Sequence, residues 1–313
     1  MMSDTSLADH IRHLLKPLSP IPTGYPLKLV KLRNIRVVVF DTYGTLLVSA
    51  AGGAGVNAAK NNSEAFRLAL KDAGLKSEFS HSTDHGTVFE EEISASHQKS
   101  RYQGVDHPEV EIVEIWRRIL NRLQDRKPDK TRFSHQQLRL LALSYECRVN
   151  PVWPMPNLVK TLTDLSRRGF RLGIISNAQF YTELLLNELT GSKIQHLGFD
   201  PDFCLWSYLQ GKAKPSLDLF HLLSHKLEEK YSIQPHQILY VGNDMLKDIW
   251  PAFTIGWRTA LFSGDRRSFR LRHEDKHCRN VEPDLVIDDL ALLNEQLLPS
   301  DPLTVSPFLP KGT

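Results

Sequence analysis

Cysteine is scarce in this chain. Cys147, Cys204 and Cys278 are the only three in 313 residues, far apart and without metal-type spacing. That pattern excludes a disulfide framework and a cysteine metal site. Reduced thiols in a cytoplasmic setting are the expectation. Long apolar runs are missing as well: no stretch is long enough for a membrane-crossing helix. Residues 7–15 are broken by Asp9, His10, Arg12 and His13 and do not read as a signal peptide. Neither sign of charge dominates, since 39 Lys and Arg against 36 Asp and Glu leave +3. The concentrated basic face that nucleic acid demands is therefore not expected. No internal repeat is visible. The composition is that of an ordinary soluble globular protein, long enough for one large or two modest domains.

What is present is concentrated in one stretch. The apolar run Ile35-Arg36-Val37-Val38-Val39-Phe40 leads directly into Asp41-Thr42-Tyr43-Gly44-Thr45. β-Branched residues in such a run predict a buried strand. A carboxylate at its C-terminal end stands where open α/β sheets bind ligands. Gly44 permits a sharp turn or a close approach, and an acid so presented can attack phosphorus or carbon to form a covalent ester.

Three further motifs follow in order. A strand ends in Ser176-Asn177, Lys214-Pro215 precedes a helix, and Val241-Gly242-Asn243-Asp244-Met245-Leu246-Lys247-Asp248 closes another strand. Ser176 and the Asn177 amide can donate hydrogen bonds to phosphate oxygens or a developing oxyanion. Lys214 can offset repulsion between an anionic substrate and Asp41, with Lys212 as its rival. Asp244 and Asp248, four apart across a strand-to-helix turn, can both face Asp41. Three converging carboxylates repel one another unless a cation lies between them, and hard oxygen donors suit Mg²⁺.

In this order the four motifs resemble those of the haloacid dehalogenase superfamily, over roughly residues 35–290. The resemblance implies an α/β fold: a Rossmann-like parallel-sheet core with an inserted α-helical cap of the C1 type. It also implies roles. Asp41, Tyr43, Ser176 and Lys214 would be catalytic, and Thr45 and Asn177 would bind substrate. Asp41, Tyr43, Asp244 and Asp248 would hold Mg²⁺. The implied activity is a phosphatase on a small phosphate ester, acting through an aspartyl phosphate in the cytoplasm, with no nucleic-acid or membrane partner.

Two departures keep other readings open. Asn243 stands where many relatives carry Asp. Tyr43 stands where metal-dependent phosphatases carry the general acid, and a phenol with a pKa of about 10 donates protons poorly at neutral pH. Asp-x-Tyr-Gly-Thr is instead the dehalogenase form. A metal-free 2-haloacid dehalogenase, with Arg67 or Arg101 as carboxylate anchor, is one alternative. A phosphonatase or mutase is another, and a binding or regulatory protein with weak catalysis is a third.

The expected organisation is a lead-in over 1–34, a core of 35–49 and 153–298, a helical cap over 50–152, and a disordered tail over 299–313. Cap helices are expected at 61–74, 109–123 and 136–145, with 77–104 polar and irregular. The Pro-rich stretch 150–156 reads as a stiff connector. Strands are expected at 170–176, 203–206, 238–241, 259–262 and 285–287, alternating with helices at 158–168, 181–189 and 217–230. Arg266, Arg267, Arg270 and Arg272 could receive an anionic substrate or partner, but a charge run reads first as a solvated face. Trp116 and Trp153 read as core, and His81, His85, His97 and His107 as exposed.

Overall fold

Alternation within single strands accounts for the layered architecture. In β1 (Val37–Phe40) every residue is buried. Val38 and Phe40 join one apolar cluster, while Val37 and Val39 join a second. Successive side chains on a strand point to opposite faces, so both faces of the sheet are covered, as parallel sheets require. The same division recurs in β6 (Ile238–Gly242), where Leu239 and Val241 face one cluster and Ile238 and Tyr240 the other.

The computed structural model describes residues 4–53, 63–75, 85–124 and 132–298. The remaining strands are β2 (Leu47–Ser49), β3 (Val152–Pro154), β4 (Arg171–Ser176), β5 (Phe199–Trp206), β7 (Arg258–Phe262) and β8 (Leu285–Ile287). Six of the eight described strands form one sheet in the order β5-β4-β1-β6-β7-β8, with every neighbouring pair parallel. The strand order reverses at β1, with β4 on one side and β6 on the other. A crevice opens at such a switch point beyond the strand ends.

The helices are α1 (Asp4–Leu14), α2 (Ser63–Asp72), α3 (His85–Tyr102), α4 (Ile112–Leu123), α5 (His135–Val149), α6 (Leu158–Arg167), α7 (Tyr181–Thr190), α8 (Ser207–Gln210), α9 (Leu217–Tyr231), α10 (Trp250–Thr254) and α11 (Leu292–Gln296). Among the described residues no helix is long and apolar enough to cross a membrane. Most expected elements lie within a residue or two of the observed ones.

Three places differ. The stretch expected to be irregular contains the eighteen-residue α3. Its amphipathic signal is weak, and Phe89 packing on Trp116 and Tyr145 supplies the support. The stretch read as a connector pairs β3 antiparallel with β2, closing a ribbon from which α2 to α5 emerge. The strand expected over 203–206 begins four residues earlier, at Phe199. The tail at 299–313 lies outside the described residues, as do the side chains of His81 and His85.

Local chemistry explains where the inserted helices start. Glu111 accepts hydrogen bonds from Val113 N and Glu114 N ahead of α4. Ser134 and Gln137 form a reciprocal capping box at α5. The four helices meet on Trp116, which is 1% exposed. It stacks on Phe66 of α2 at 5.7 Å and meets Tyr145 of α5 edge-on at 5.0 Å. Trp116→Ala should therefore cost about 3–5 kcal/mol through the cavity it leaves, seen as a lower urea midpoint.

The N-terminal segment is tied to the far edge of the sheet. Lys28 and Val286 exchange backbone hydrogen bonds of 3.0 Å. Ile21 N donates to Asp265 Oδ1 at 3.1 Å, and Arg266 N donates to Ile21 O at 2.7 Å. Arg267 Nη2 reaches Ser19 O at 3.0 Å.

Candidate active site

The sheet brings the sequence motifs to one point. Asp41 follows β1, Ser176 ends β4, and Asn243 and Asp244 follow β6. Asp41, Asn243 and Asp244 line a cleft of about 360 Å³, with Ser176 buried against Asp41. Lys214, between α8 and α9, lies at the centre and is 4% exposed. Its ammonium donates to Asp41 Oδ1 at 2.6 Å, Asp248 Oδ1 at 2.6 Å and Tyr240 Oη at 2.9 Å. An ammonium has three donors, and all three are used. Burial works against the Lys214 charge, but Asp248 and Asp41 outweigh it and hold the group above its ordinary value.

Asp41 Oδ1 also accepts from Ser176 Oγ at 3.3 Å. Among the described residues no hydrogen bond reaches Oδ2, which leaves that oxygen available as a nucleophile. Asp248 is held by both oxygens: Oδ1 by Lys214, and Oδ2 by the backbone N–H groups of Asn243 at 3.0 Å and Asp244 at 2.9 Å. Complete burial pushes its carboxyl up to about 6, with Lys214 opposing.

An acid whose folded pKa exceeds its unfolded value keeps a proton that the unfolded chain has released. Its contribution to stability is therefore lost as pH rises from about 4 to about 6. Relative to Asp248→Asn, the wild type should lose stability over that window, measured as urea midpoints near pH 4 and pH 7. The opposite sign would mean that the Lys214 attraction outweighs burial.

The other motif residues serve more as supports. Asn177 pins the Lys214 backbone, accepting from its N at 2.7 Å and donating to its O at 3.2 Å; it also lines the cleft. Thr45 is fully buried and donates to Asn243 Oδ1 at 3.0 Å rather than facing the cleft. The Tyr43 hydroxyl pairs with Thr182 Oγ1 at 2.9 Å. Burial and the nearby Glu146 keep its proton bound well above the usual range, so the phenol is not poised to donate. Lys212 pairs with Asp218 away from the centre. Arg67 pairs with Glu64, and neither it nor Arg101 lines the cleft.

Gly44, at φ 88°, closes the site from below. A Cβ there would lie 2.4 Å from Ser268 Cβ and 2.8 Å from Asn243 Nδ2, so only glycine lets that turn approach the loop after β7.

This loop was expected to be solvated, and Arg266 and Arg272 are indeed exposed, but its course also carries it to the site. Arg270 and Arg272 line the cleft, while Arg266 and Arg267 face the N-terminal segment. Arg272 binds Asp244 through Nη2–Oδ2 at 2.7 Å and Nε to both oxygens at 3.2 Å. Asp244 Oδ1 also caps the following turn, accepting from Leu246 N and Lys247 N.

Of the expected Mg²⁺ donors, Asp244 and both oxygens of Asp248 are thus engaged by the protein itself, while Asp41 keeps Oδ2 free. Among the described residues no group of three or more His, Cys, Asp or Glu is arranged to hold a metal ion. The carboxylate repulsion that called for a cation is met by Lys214 and Arg272. As arranged, the residues do not fit a divalent ion.

Sequence reasoning missed four other residues of the site, three of them in the cleft wall and Tyr240 buried beneath Lys214. Tyr240 reads as a core strand residue, yet its hydroxyl receives Lys214 and donates to Ile175 O at 2.7 Å. Glu109 reaches the cleft from the segment before α4, its carboxyl raised by burial against the opposing Ser207 hydrogen bond. His97 of α3 was expected to be exposed; instead its Nε2 is buried and without a partner among the described residues. Lys247 also faces the cleft. No local sequence pattern marks these residues, because the fold alone brings them here.

A family model for haloacid dehalogenase-like hydrolases matches residues 35–256. A glyceraldehyde 3-phosphate phosphatase of Methanothermobacter thermautotrophicus is 29% identical over 172 residues, 54% of this chain and 71% of that protein. A ribulose-1,5-bisphosphate 5-phosphatase of Halopiger xanaduensis is 27% identical over 143 residues, 45% of this chain and 55% of that protein. Among solved structures, a 2-haloacid dehalogenase from Pseudomonas syringae pv. Tomato superposes with a TM-score of 0.53 at 20% identity, covering 84% of this chain and 97% of that one. That likeness concerns the fold alone. The family match covers most of the chain, and it belongs to the haloacid dehalogenase-like hydrolases.

Proposed function

We propose that this hydrolase cleaves small phosphate monoesters through a covalent intermediate on Asp41. The observation that carries the reading is the Lys214 ammonium 2.6 Å from Asp41, with Asp41 Oδ2 unbonded beside the cleft. Oδ2 attacks phosphorus in line, and the bond to the ester oxygen breaks. The electron pair leaves with that oxygen, which takes a proton from water. Water then attacks the phosphorus of the aspartyl phosphate, returning the Asp41 carboxylate and releasing inorganic phosphate. Lys214 and Ser176 keep Asp41 oriented and spread the developing charge. The helices α2 to α5 form the proposed cap, which limits water over the cleft. Both curated relatives are named as phosphatases of phosphorylated sugars or trioses, which supports this substrate class. Three unpaired thiols favour the cytoplasm. The Mg²⁺ implied by the resemblance enters no step here, because Asp244 and Asp248 are held by Arg272, Lys214 and backbone N–H groups.

Tyr43 and the occupied donors favour one second reading, a metal-independent dehalogenase using the same Asp41. A panel of phosphate esters and 2-haloacids, with Mg²⁺ or EDTA, separates the two. Phosphate release well above an Asp41→Asn control is the expected result. Chloride release without phosphate release would replace this reading with the second. Neither product would leave a binding protein.

A further inference from the structure

The loop after β7 is built into the site. Arg270 N donates to Asn243 O at 3.0 Å and Met245 N donates to Arg270 O at 2.9 Å, a short parallel pairing beside Asp244. Asn243 Nδ2 adds a bond to Ser268 O at 2.6 Å. Arg272 then adopts φ 53°, a left-handed conformation that non-glycine residues seldom hold without a reason. The result is a guanidinium forked onto Asp244. That carboxylate is 8% exposed and the arginine 37%, so the pair sits at the cleft edge.

Charge in the cleft is balanced without an added ion. Asp41, Glu109, Asp244 and Asp248 face Lys214, Lys247, Arg270 and Arg272, four acids against four bases. We propose that Arg272 takes the electrostatic place of a divalent cation at Asp244, so that the site binds such cations weakly until the guanidinium is removed. A planar fork satisfies both carboxylate oxygens at once, which a hydrated ion at the same place would have to displace. The proposal rests on Asp41 and Asp244 sharing one site; it does not depend on turnover.

The test is Mn²⁺ binding to the full-length chain without substrate, followed by calorimetry and by the Mn²⁺ electron paramagnetic resonance signal. Arg272→Gln should bind Mn²⁺ about tenfold more tightly than wild type, the effect of removing one half-exposed arginine fork. The gain should vanish in Arg272→Gln/Asp244→Asn. Equal affinity in wild type and Arg272→Gln, whether tight or undetectable, overturns the proposal. Arg272→Lys guards against a folding failure: it keeps the charge but loses the fork, and it should show a smaller gain with an unchanged melting curve. No gain in a folded Arg272→Lys, with Arg272→Gln unfolded, also overturns it. Since no substrate is present, a failed hydrolase assay leaves this result intact, and the reverse holds.

Discussion

Lys214→Met will unfold at lower urea, losing about 3–5 kcal/mol, the range for removing one partner of a buried ion pair. The ammonium is 2% exposed at its side chain and touches two carboxylates and a phenol. Without it, Asp41 and Asp248 face each other with no cation between them. Asp248, already pushed up by burial, would rise further and hold its proton at neutral pH. The loss in stability should therefore be smaller in mild acid than at pH 7. Lys214→Met/Asp248→Asn should recover part of the loss, because the amide needs no proton taken up at pH 7 to stay neutral beside Asp41. A double-mutant cycle in urea measures that coupling. Independent, additive effects would mean that Lys214 holds the fold by packing alone.

Asp41→Asn separates chemistry from folding. An amide cannot form the ester intermediate, so turnover of the best phosphate ester should drop by roughly 10³-fold or more. Stability should not fall in parallel. Asp41 is one of two acids competing for a single ammonium, and its neutral isostere keeps the oxygen that Lys214 and Ser176 address. Binding of inorganic phosphate should tighten, since one repelling charge is gone. Calorimetry with phosphate, beside the turnover assay, reads both effects on one protein. Residual turnover within tenfold of wild type would move the nucleophile elsewhere.

The parts of this molecule legible in its sequence are those with local signals. The run into Asp41 reads as a strand because valine and phenylalanine fit a doubly covered pleat. Ser176, Lys214, Asp244 and Asp248 were located because each follows a strand end or opens a helix. The remainder was hidden by distance along the chain. The partner of Asp244 is Arg272, 28 residues later on a loop whose course depends on the sheet edge. His97 comes from a helix with a weak amphipathic signal, and Glu109 from the lead into α4, where Ser207, distant in the chain, fixes its carboxylate. Tyr43 was noticed as a departure, but its hydroxyl's attachment to Thr182 needed α7 in place. Thr45 looked exposed to ligand because it sits in the motif, whereas the turn at Gly44 directs it inward.

The bonds from Ser19 and Ile21 to the arginine loop carry a practical lesson. Family similarity begins at residue 35, and a shortened gene drawn to that limit would discard the brace behind Arg266 and Arg267. The sheet would still be encoded in full. The wall that presents Arg270 and Arg272 would lose its backing, and a trimmed protein could be scored as a poor catalyst for reasons of scaffolding.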